Sequence, residues 1–153
     1  MKLRLVVVGR GGVAWADAAV DDWARRLKRY GGIEETQIRP ELFRGDIEAV
    51  RDAEAKRVLA EVSPRDRLVA LDERGERLDT HQFASLVEQG MGAGGSLVLA
   101  IGGPYGHGAA VRAAAWRTLR LSDMVLNHEV ARVVLYEQLY RAYTVLRGEP
   151  YHH

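Results

Sequence analysis

The sequence predicts an α/β fold with an open, mainly parallel sheet flanked by helices. Two apolar runs, Leu3–Val8 and Leu97–Ile101, have the length and composition of buried strands. Segments with apolar residues at helical spacing alternate with further short β-type runs, an order that is typical of parallel sheets. A chain of 153 residues has the length of one domain. Because no repeat, low-complexity tract or linker divides it, we predict a single domain over residues 1–153.

The first half of the chain begins with a valine-rich strand that ends at Gly9. A helix is predicted over residues 15–30, since the glycine pair that follows is common after a helix C-terminus. The next predicted elements are a strand over 33–39, a loop over 40–45 and a helix over 46–62. We interpret the charges of this second helix as its solvent-exposed face, and they are Glu48, Arg51, Asp52, Glu54, Lys56 and Arg57.

The second half of the chain repeats the alternation and ends in a long helix. Ser63-Pro64 ends the preceding helical pattern, and Asp79-Thr80 is suited to cap a helix. The predicted elements are a strand over 67–71, a turn over 72–75, a helix from 79 to about 88, a flexible connector over 89–95, a strand over 97–101, a helix over 109–115, a strand over 116–121 and a helix over 127–146.

Charge and cysteine content limit the possible functions. The formal net charge is +1, so the total gives no sign of a nucleic-acid-binding face. The chain has no cysteine, which excludes disulfides, thiolate zinc sites and cysteine nucleophiles. The apolar run at the N-terminus is too short for a signal peptide or a membrane span. We therefore expect a soluble, cytoplasmic protein.

The last helix carries apolar residues around most of its circumference rather than along one stripe. Such a helix is buried on more than one side. In so short a chain the second side can be covered by another subunit, so we predict a homodimer through this helix.

Residues 96–108 form the first candidate site. A buried strand is followed, within seven residues, by four glycines and a proline. Glycine lets a ligand approach the main chain closely, and open α/β folds bind ligands at the carboxyl ends of their strands. A tight turn without a ligand fits this stretch equally well.

Two other patterns are weaker. Residues 9–14 fit the G-x-G-x-x-A pattern of dinucleotide-binding turns, but the acidic residues Glu34 and Glu35 lie at the start of the second strand instead of its end. A plain strand-to-helix turn explains residues 9–14 better than a dinucleotide site does. The scattered set of Asp72, His81, Glu88 and His107 lacks metal-binding spacing, and we predict no metal site.

A third candidate set lies near the C-terminus and consists of His128, Arg132, Glu137, Arg141, Tyr151 and His152. Glu137 and Arg141 are four residues apart, so they share a helix face and can form an ion pair. His128 is at the helix start, where the helix dipole favours a neutral imidazole. An intrahelical ion pair without function remains the alternative for Glu137 and Arg141.

Three motifs occur in one order along the chain, and together they carry a resemblance to a known family. They are Ile-Gly-Gly-Pro-Tyr-Gly at 101–106, Leu-Ser-Asp-Met-Val-Leu-Asn-His at 121–128, and Glu-Gln-Leu-Tyr-Arg-Ala-Tyr at 137–143 followed by Pro-Tyr-His at 150–152. With these motifs the whole chain resembles the RlmH family of SPOUT-class methyltransferases, which use S-adenosylmethionine to modify large-subunit ribosomal RNA.

The resemblance implies a SPOUT-type fold with a C-terminal trefoil knot within about residues 67–153, an obligate homodimer, and N3-methylation of a pseudouridine in helix 69 of 23S rRNA on the assembled ribosome. It places the cofactor against Leu71, Gly102, Gly103, Ser122, Asp123, Met124, Val125, Leu126 and Asn127. It places catalytic and substrate-side roles at His128, Glu137, Arg141, Tyr151 and His152.

Three positions depart from the family pattern. Asn127 stands where proline is usual, Val125 where threonine is commoner, and His153 where the family ends in a cation. Asparagine caps helices well, so the last helix should still begin there. A degenerate homologue without activity and a dinucleotide-dependent oxidoreductase are the alternative functions.

Methyl transfer to the imide nitrogen N3 requires removal of its proton, and either His128 or His152 could act as the base. The sequence does not rank them. Glu137 would orient Arg141, which would stabilise the anion or hold a phosphate. Six arginines in the last third of the chain would supply cations for RNA, and they are Arg112, Arg117, Arg120, Arg132, Arg141 and Arg147.

Overall fold

The computed structural model describes residues 2–92 and 94–153. The single domain predicted over 1–153 therefore includes two positions, Met1 and Ala93, that lie outside the described residues. In chain order the described elements are β1 (Leu3–Val8), α1 (Ala14–Leu27), β2 (Glu34–Ile38), α2 (Ile47–Leu59), β3 (Arg67–Arg77), α3 (Thr80–Met91), β4 (Leu97–Ile101), α4 (Ala109–Ala114), β5 (Arg117–Arg120) and α5 (His128–Leu146), and a short 3₁₀ turn (Lys28–Tyr30) extends α1.

The five strands form one sheet in the order β2-β1-β4-β3-β5, and every neighbouring pair is parallel. Side chains alternate between the two faces of the sheet. Leu5 and Leu99 face α1, α3 and α5, whereas Val6 and Val98 face α2 and α4. All five residues of β4 are buried. The predicted α/β class with a parallel sheet and flanking helices is confirmed.

Capping residues set several helix ends where the sequence places them. The Asp46 side chain accepts hydrogen bonds from the backbone N–H groups of residues 48 and 49. Asp79 forms a capping box with Gln82. Gly31 follows the 3₁₀ turn with a φ of 108°, a conformation that glycine adopts without strain. No helix in the described part of the chain is long and apolar enough to cross a membrane.

The turn predicted over residues 72–75 is wrong, because β3 continues through it to Arg77. The pairing of β3 with β5 shifts register between Leu71 and Glu76, so the strand bulges and then resumes. A Cβ on Gly75 would lie 2.6 Å from the backbone of Leu119. Glycine here permits a close approach of two strands rather than a reversal of the chain.

The flexible connector predicted over residues 89–95 is also wrong where α3 continues to Met91; its position 93 lies outside the described residues. Gly90 is buried inside that helix, and a Cβ there would lie 2.6 Å from the Leu97 side chain. The small residue lets α3 pack directly on the start of β4.

One charge of α2 contradicts the predicted solvent-exposed face. Glu54 is only 4% exposed and lies among the core residues of this helix. The other charged positions of α2 are exposed or half-buried. A helical charge pattern therefore identifies the exposed face only in part, because a buried carboxyl can point toward a neighbouring loop.

The apolar circumference of α5 is explained within one chain. The helix lies on the sheet between α1 and α3, and Leu135, Leu139 and Ala142 are fully buried there. Val130 and Leu146 are partly exposed at its two ends. The pattern that suggested a subunit interface is thus accounted for by intrachain packing, and it no longer argues for a dimer.

Arg132, which the sequence grouped with the functional residues, anchors α5 to α1 and β2. Its guanidinium donates to both carboxylate oxygens of Glu35 at 2.8 Å, to Asp17 Oδ1 at 2.8 Å and to Glu129 Oε2 at 3.2 Å. Arg132 is 4% exposed. These hydrogen bonds, with Glu35 foremost, hold the pKa of Arg132 above its ordinary value.

We expect Arg132→Ala to destabilise the protein by about 3–5 kcal/mol, because it leaves partly buried carboxylates without their cation. Urea denaturation at neutral pH measures this change. The matched control is Arg25→Ala, which removes an arginine from an exposed pair with Asp22 and should change stability by less than about 0.5 kcal/mol. Equal effects of the two substitutions would contradict an anchoring role.

Candidate active site

A cleft of about 510 Å³ opens where β3 bulges after Leu71 and at the carboxyl ends of β4 and β5, and it is bounded by the start of α5. This volume is typical of small-molecule sites, which are roughly 300–1,000 Å³. The position matches the rule that open α/β sheets bind ligands beyond the carboxyl ends of their strands.

Most of the residues predicted to contact the cofactor line this cleft. They are Leu71, Gly102, Gly103, Ser122, Met124, Val125 and Leu126, and they are joined by His128 from the predicted catalytic set. Three separate stretches of sequence therefore meet around one space, because the strands before them are neighbours in the sheet.

The glycine loop, residues 102–108, forms one wall of the cleft. Gly106 has a φ of 79°, and its N–H donates to the Gly103 carbonyl at 3.0 Å, which closes a tight turn. His107 is buried behind this turn, with Nε2 3.0 Å from the Ala100 carbonyl. Burial lowers the pKa of His107. A neutral ring that donates from Nε2 to the strand therefore stabilises the loop from inside.

The segment from Leu121 to Asn127 forms the opposite wall. The Met124 N–H donates to Ser122 Oγ at 3.0 Å, which shapes the turn. Met124 and Val125 are 75% and 81% exposed, so these two apolar side chains at the cleft are not packed against other described residues of the chain. Asn127 accepts from the Glu129 N–H at 2.9 Å and caps α5, as expected for asparagine in this position.

Two predicted cofactor residues do not line the cleft. Asp123 forms ion pairs with Arg77 at 2.9 Å and with Arg120 at 3.3 Å. Asn127 uses its side chain to cap α5. In this structure both residues hold the wall in place rather than face the space.

Three arginines that the sequence analysis did not place at the cofactor site also line the cleft, and they are Arg51, Arg74 and Arg120. Arg74 forms a two-point ion pair with Asp72, with distances of 2.9 and 3.0 Å. Burial alone would raise the pKa of Asp72, but the hydrogen bonds from Arg74 outweigh it and the pKa is lowered. Arg51 comes from α2, far away in sequence, so no local motif could have indicated it.

The remaining catalytic candidates form a second cluster, here called the tail cluster, of Glu137, Arg141, Tyr151 and His152. Arg141 Nε donates to Glu137 Oε1 at 2.7 Å, and Arg141 Nη1 lies 3.2 Å from His152 Nδ1. The guanidinium also lies 4.7 Å from the centre of the Tyr151 ring. No member of this cluster lines the cleft.

The tail cluster and the cleft are separated along α5. His128 and Glu137 are nine positions apart, which corresponds to about 13 Å along the helix axis. The structure thus brings the predicted site residues together in two groups rather than one.

The C-terminal tail is fixed by contacts with the end of α1. The Tyr30 hydroxyl donates to Glu149 Oε2 at 2.6 Å, and Arg29 donates to Glu149 Oε1 at 3.0 Å. Burial and then the hydrogen bond to Glu149 raise the pKa of Tyr30 to about 12, so this hydroxyl stays protonated. Tyr151 packs edge-on against Tyr140, with ring centres 4.9 Å apart.

Most of the arginines expected to contact RNA have partners within the chain. The interactions of Arg132 and Arg141 are described above, Arg117 pairs with Glu76 at 2.8 Å, and Arg112 donates to a backbone carbonyl at 2.7 Å. Arg147 lies over the Tyr30 ring at 5.2 Å and forms no ion pair with a described carboxylate. The number of arginines in a stretch of sequence therefore overstates the cations available to a ligand.

The glycine turn at residues 9–14 lies beside the start of α5. A Cβ on Gly9 would lie 3.0 Å from His128 Cε1, so the first glycine makes room for that ring. Glu35, the nearby acidic residue, binds Arg132 and is not at the end of β2. Among the residues that the structure describes, no three histidine, aspartate or glutamate side chains come close enough to hold a metal ion.

The chain is similar to known proteins over its whole length. A family model described as "Predicted SPOUT methyltransferase" matches residues 1–152. A relative from Anaeromyxobacter sp., called "Ribosomal RNA large subunit methyltransferase H", is 43% identical over 152 residues and 99% of both chains. Proteins of the same name from Geotalea daltonii and Trichlorobacter lovleyi are 38% and 40% identical over 154 residues and the full length of both chains.

Proposed function

We propose that this chain, which belongs to the RlmH family of SPOUT methyltransferases, methylates N3 of a pseudouridine in 23S rRNA. The pseudouridine lies in helix 69 of the assembled ribosome, and S-adenosylmethionine is the methyl donor. The observation that carries the proposal is the cleft. Three separate stretches with the family's motifs, at Leu71, at Gly102–Gly103 and at residues 121–128, line one ligand-sized space.

The residues of the cleft fit S-adenosylmethionine. Apolar side chains such as Leu71, Ile101 and Leu126 suit an adenine ring, and the glycine pair exposes backbone groups that can hydrogen-bond to its edge. When bound, the donor supplies a methyl group on a positively charged sulfur. The task of the protein is then to hold the RNA nitrogen in line with that methyl group.

The structure supports His128 over His152 as the base that removes the N3 proton. A guanidinium can only donate hydrogen bonds, so Arg141 requires His152 Nδ1 to be an acceptor. In the neutral ring the proton is then on Nε2, and no free lone pair remains. His128 lines the cleft, and its Nε2 is buried against Gly9. Its Nδ1, which lies 3.7 Å from Glu129 Oε1, is therefore the nitrogen that would accept the proton.

The tail cluster is suited to bind the RNA rather than to remove a proton. Glu137 holds Arg141 in one orientation, and Arg141 in turn fixes the tautomer of His152. Both groups can donate to a phosphate or to a base carbonyl that gains negative charge. We infer that this cluster stabilises the deprotonated pseudouridine or the phosphate next to it.

A homodimer through α5 and the segment 121–127 would satisfy two features that a single chain leaves open. Met124 and Val125 are exposed apolar side chains at the cleft. The tail cluster lies away from the cleft of its own chain, and a partner subunit could place its tail cluster there. The proposal includes a trefoil knot within residues 67–153, and the chain path traced in a crystal structure tests that part.

The decisive test is methyl transfer with radiolabelled S-adenosylmethionine to ribosomes from a strain that lacks the endogenous enzyme. We expect label in 23S rRNA, located at N3 of the helix 69 pseudouridine by mass spectrometry of digested RNA. Isolated rRNA should be a poor substrate, because few arginines of the expected set are free.

Two results would contradict the proposed function. Donor binding without any transfer would indicate a degenerate homologue. Binding of NAD but not of S-adenosylmethionine in equilibrium dialysis would favour an oxidoreductase that uses the turn at residues 9–14.

Replacing each histidine separates their roles. We expect His128→Ala to lower kcat by roughly 10²–10⁴-fold, the usual contribution of a general base, with little change in KM. His152→Ala should mainly raise KM for ribosomes, by about tenfold, because a donor to the RNA is lost. Single-turnover kinetics on variants with unchanged thermal unfolding measure both. A larger loss of kcat for His152→Ala would reverse the assignment.

Light scattering tests the subunit arrangement. We expect the mass of two chains at micromolar concentration, since exposed apolar side chains at a cleft favour association. Replacing Met124 and Val125 together by lysine should shift the mass toward one chain. A wild-type preparation that is active and has the mass of one chain would rule out the dimer.

A further inference from the structure

A buried carboxyl group lies directly behind the glycine loop and has no assigned role. Glu54 of α2 is 4% exposed. Its Oε2 accepts a hydrogen bond from the Glu41 N–H at 3.0 Å, whereas its Oε1 is buried without a hydrogen-bond partner in the described chain. An unsatisfied buried acceptor is unfavourable, so its retention calls for an explanation beyond packing.

Gly103 lies against this carboxyl group. A Cβ built on Gly103 would be 2.9 Å from Glu54 Oε1 and 3.3 Å from Oε2, and its three nearest atoms would all belong to Glu54. The φ of Gly103 is not positive, so an alanine here would not strain the backbone. Glycine at 103 therefore leaves room for the Glu54 carboxyl group, and an added methyl group would displace either that carboxyl group or the loop. The other side of Gly103 faces the cleft.

The same turn of α2 holds the glycine loop at two further points. Arg51 Nε donates to the Tyr105 carbonyl at 2.8 Å. A Cβ on Gly108 would lie 2.8 Å from the Arg51 carbonyl oxygen, so the loop also packs on the helix backbone. Since Arg51 and Glu54 are three residues apart, they share one helix face. That face forms the back of the cleft wall.

The pKa of Glu54 reflects its buried position. Burial raises its pKa above the ordinary value, although the Glu41 N–H and the Arg57 guanidinium oppose the shift. The Glu41 carboxylate adds to the rise. A neutral carboxyl is much less costly to bury than a carboxylate. Glutamine has nearly the same shape and carries no charge, so it keeps the volume of the side chain and removes only the ability to ionise.

We propose that Glu54 is a positioning residue for S-adenosylmethionine, because its carboxyl group sets how far Gly103 projects into the cleft. The inference rests on the proposed function of the cleft. A side chain added at 103 pushes the loop into the space of the donor, and loss of the carboxyl lets the loop sink away from it. Close packing transmits either displacement to the cleft wall.

The test measures the affinity of S-adenosylmethionine by calorimetry for the full chain and a set of variants. Glu54→Gln should bind nearly as wild type does. Gly103→Ala should weaken binding by about tenfold or more, as overpacking by one methyl group predicts. Glu54→Ala should weaken it several-fold. The variant that combines Gly103→Ala with Glu54→Ala should bind more tightly than Gly103→Ala alone, because the added methyl group enters the space of the missing carboxyl.

Two controls separate positioning from general stability. Asp52→Ala removes an exposed carboxylate from the same helix and should leave affinity unchanged. Glu54→Asp withdraws the carboxyl by one methylene and should also relieve Gly103→Ala, so the test holds even if Glu54→Ala does not fold. At saturating donor, kcat of Glu54→Ala should approach the wild-type value, so that the defect lies in KM for the donor.

The possible failures are distinguishable. Three results would overturn this inference alone. Glu54→Ala could bind S-adenosylmethionine with wild-type affinity, or Gly103→Ala could bind no more tightly when it is combined with Glu54→Ala or with Glu54→Asp. The third result is a loss of affinity among the variants that only follows their loss of thermal stability. A wild-type protein that does not bind S-adenosylmethionine would contradict the proposed function, and this inference with it.

Discussion

Parallel pairing of β3, β4 and β5 is the constraint on which the candidate site depends. Because these strands run in one direction, the chain leaves all of them at the same edge of the sheet. The bulge after Leu71, the glycine loop and the segment 121–127 therefore meet there, although they are far apart in the sequence. A parallel sheet must also be covered on both faces, which places α2 behind the glycine loop and the start of α5 beside it.

The position of α5 depends on buried charge as well as on apolar packing. Arg132 ties this helix to α1 and β2 through carboxylates on three elements. The ring of His128, one turn earlier, is thereby held against Gly9 and at the cleft. At the other end of α5, Glu149 fixes the tail to Tyr30. Ion pairs at one end of α5 and a hydrogen bond beyond the other end thus position both groups of candidate catalytic residues.

Glycine and charge have several structural meanings, and the sequence does not distinguish them. Gly75, Gly90 and Gly103 all permit close approaches, to a strand, a side chain and a buried carboxyl respectively. A turn or a flexible connector was predicted at two of these places, because a glycine-rich stretch is compatible with both. Glu54 is likewise indistinguishable in sequence from its exposed neighbours on α2. The partner that decides each case comes from a distant part of the chain.

The sequence by itself determined the α/β class, the order of the elements, the caps at Asp79 and Asn127, and most of the residues that line the cleft. These follow from local periodicity, from local hydrogen bonding and from motifs that are contiguous in the chain. Only the tertiary structure decided that Arg51 joins the cleft, that Arg132 is an anchor, and that the tail cluster lies apart from His128. Those outcomes depend on which helix packs on which face of the sheet, and no local pattern specifies that.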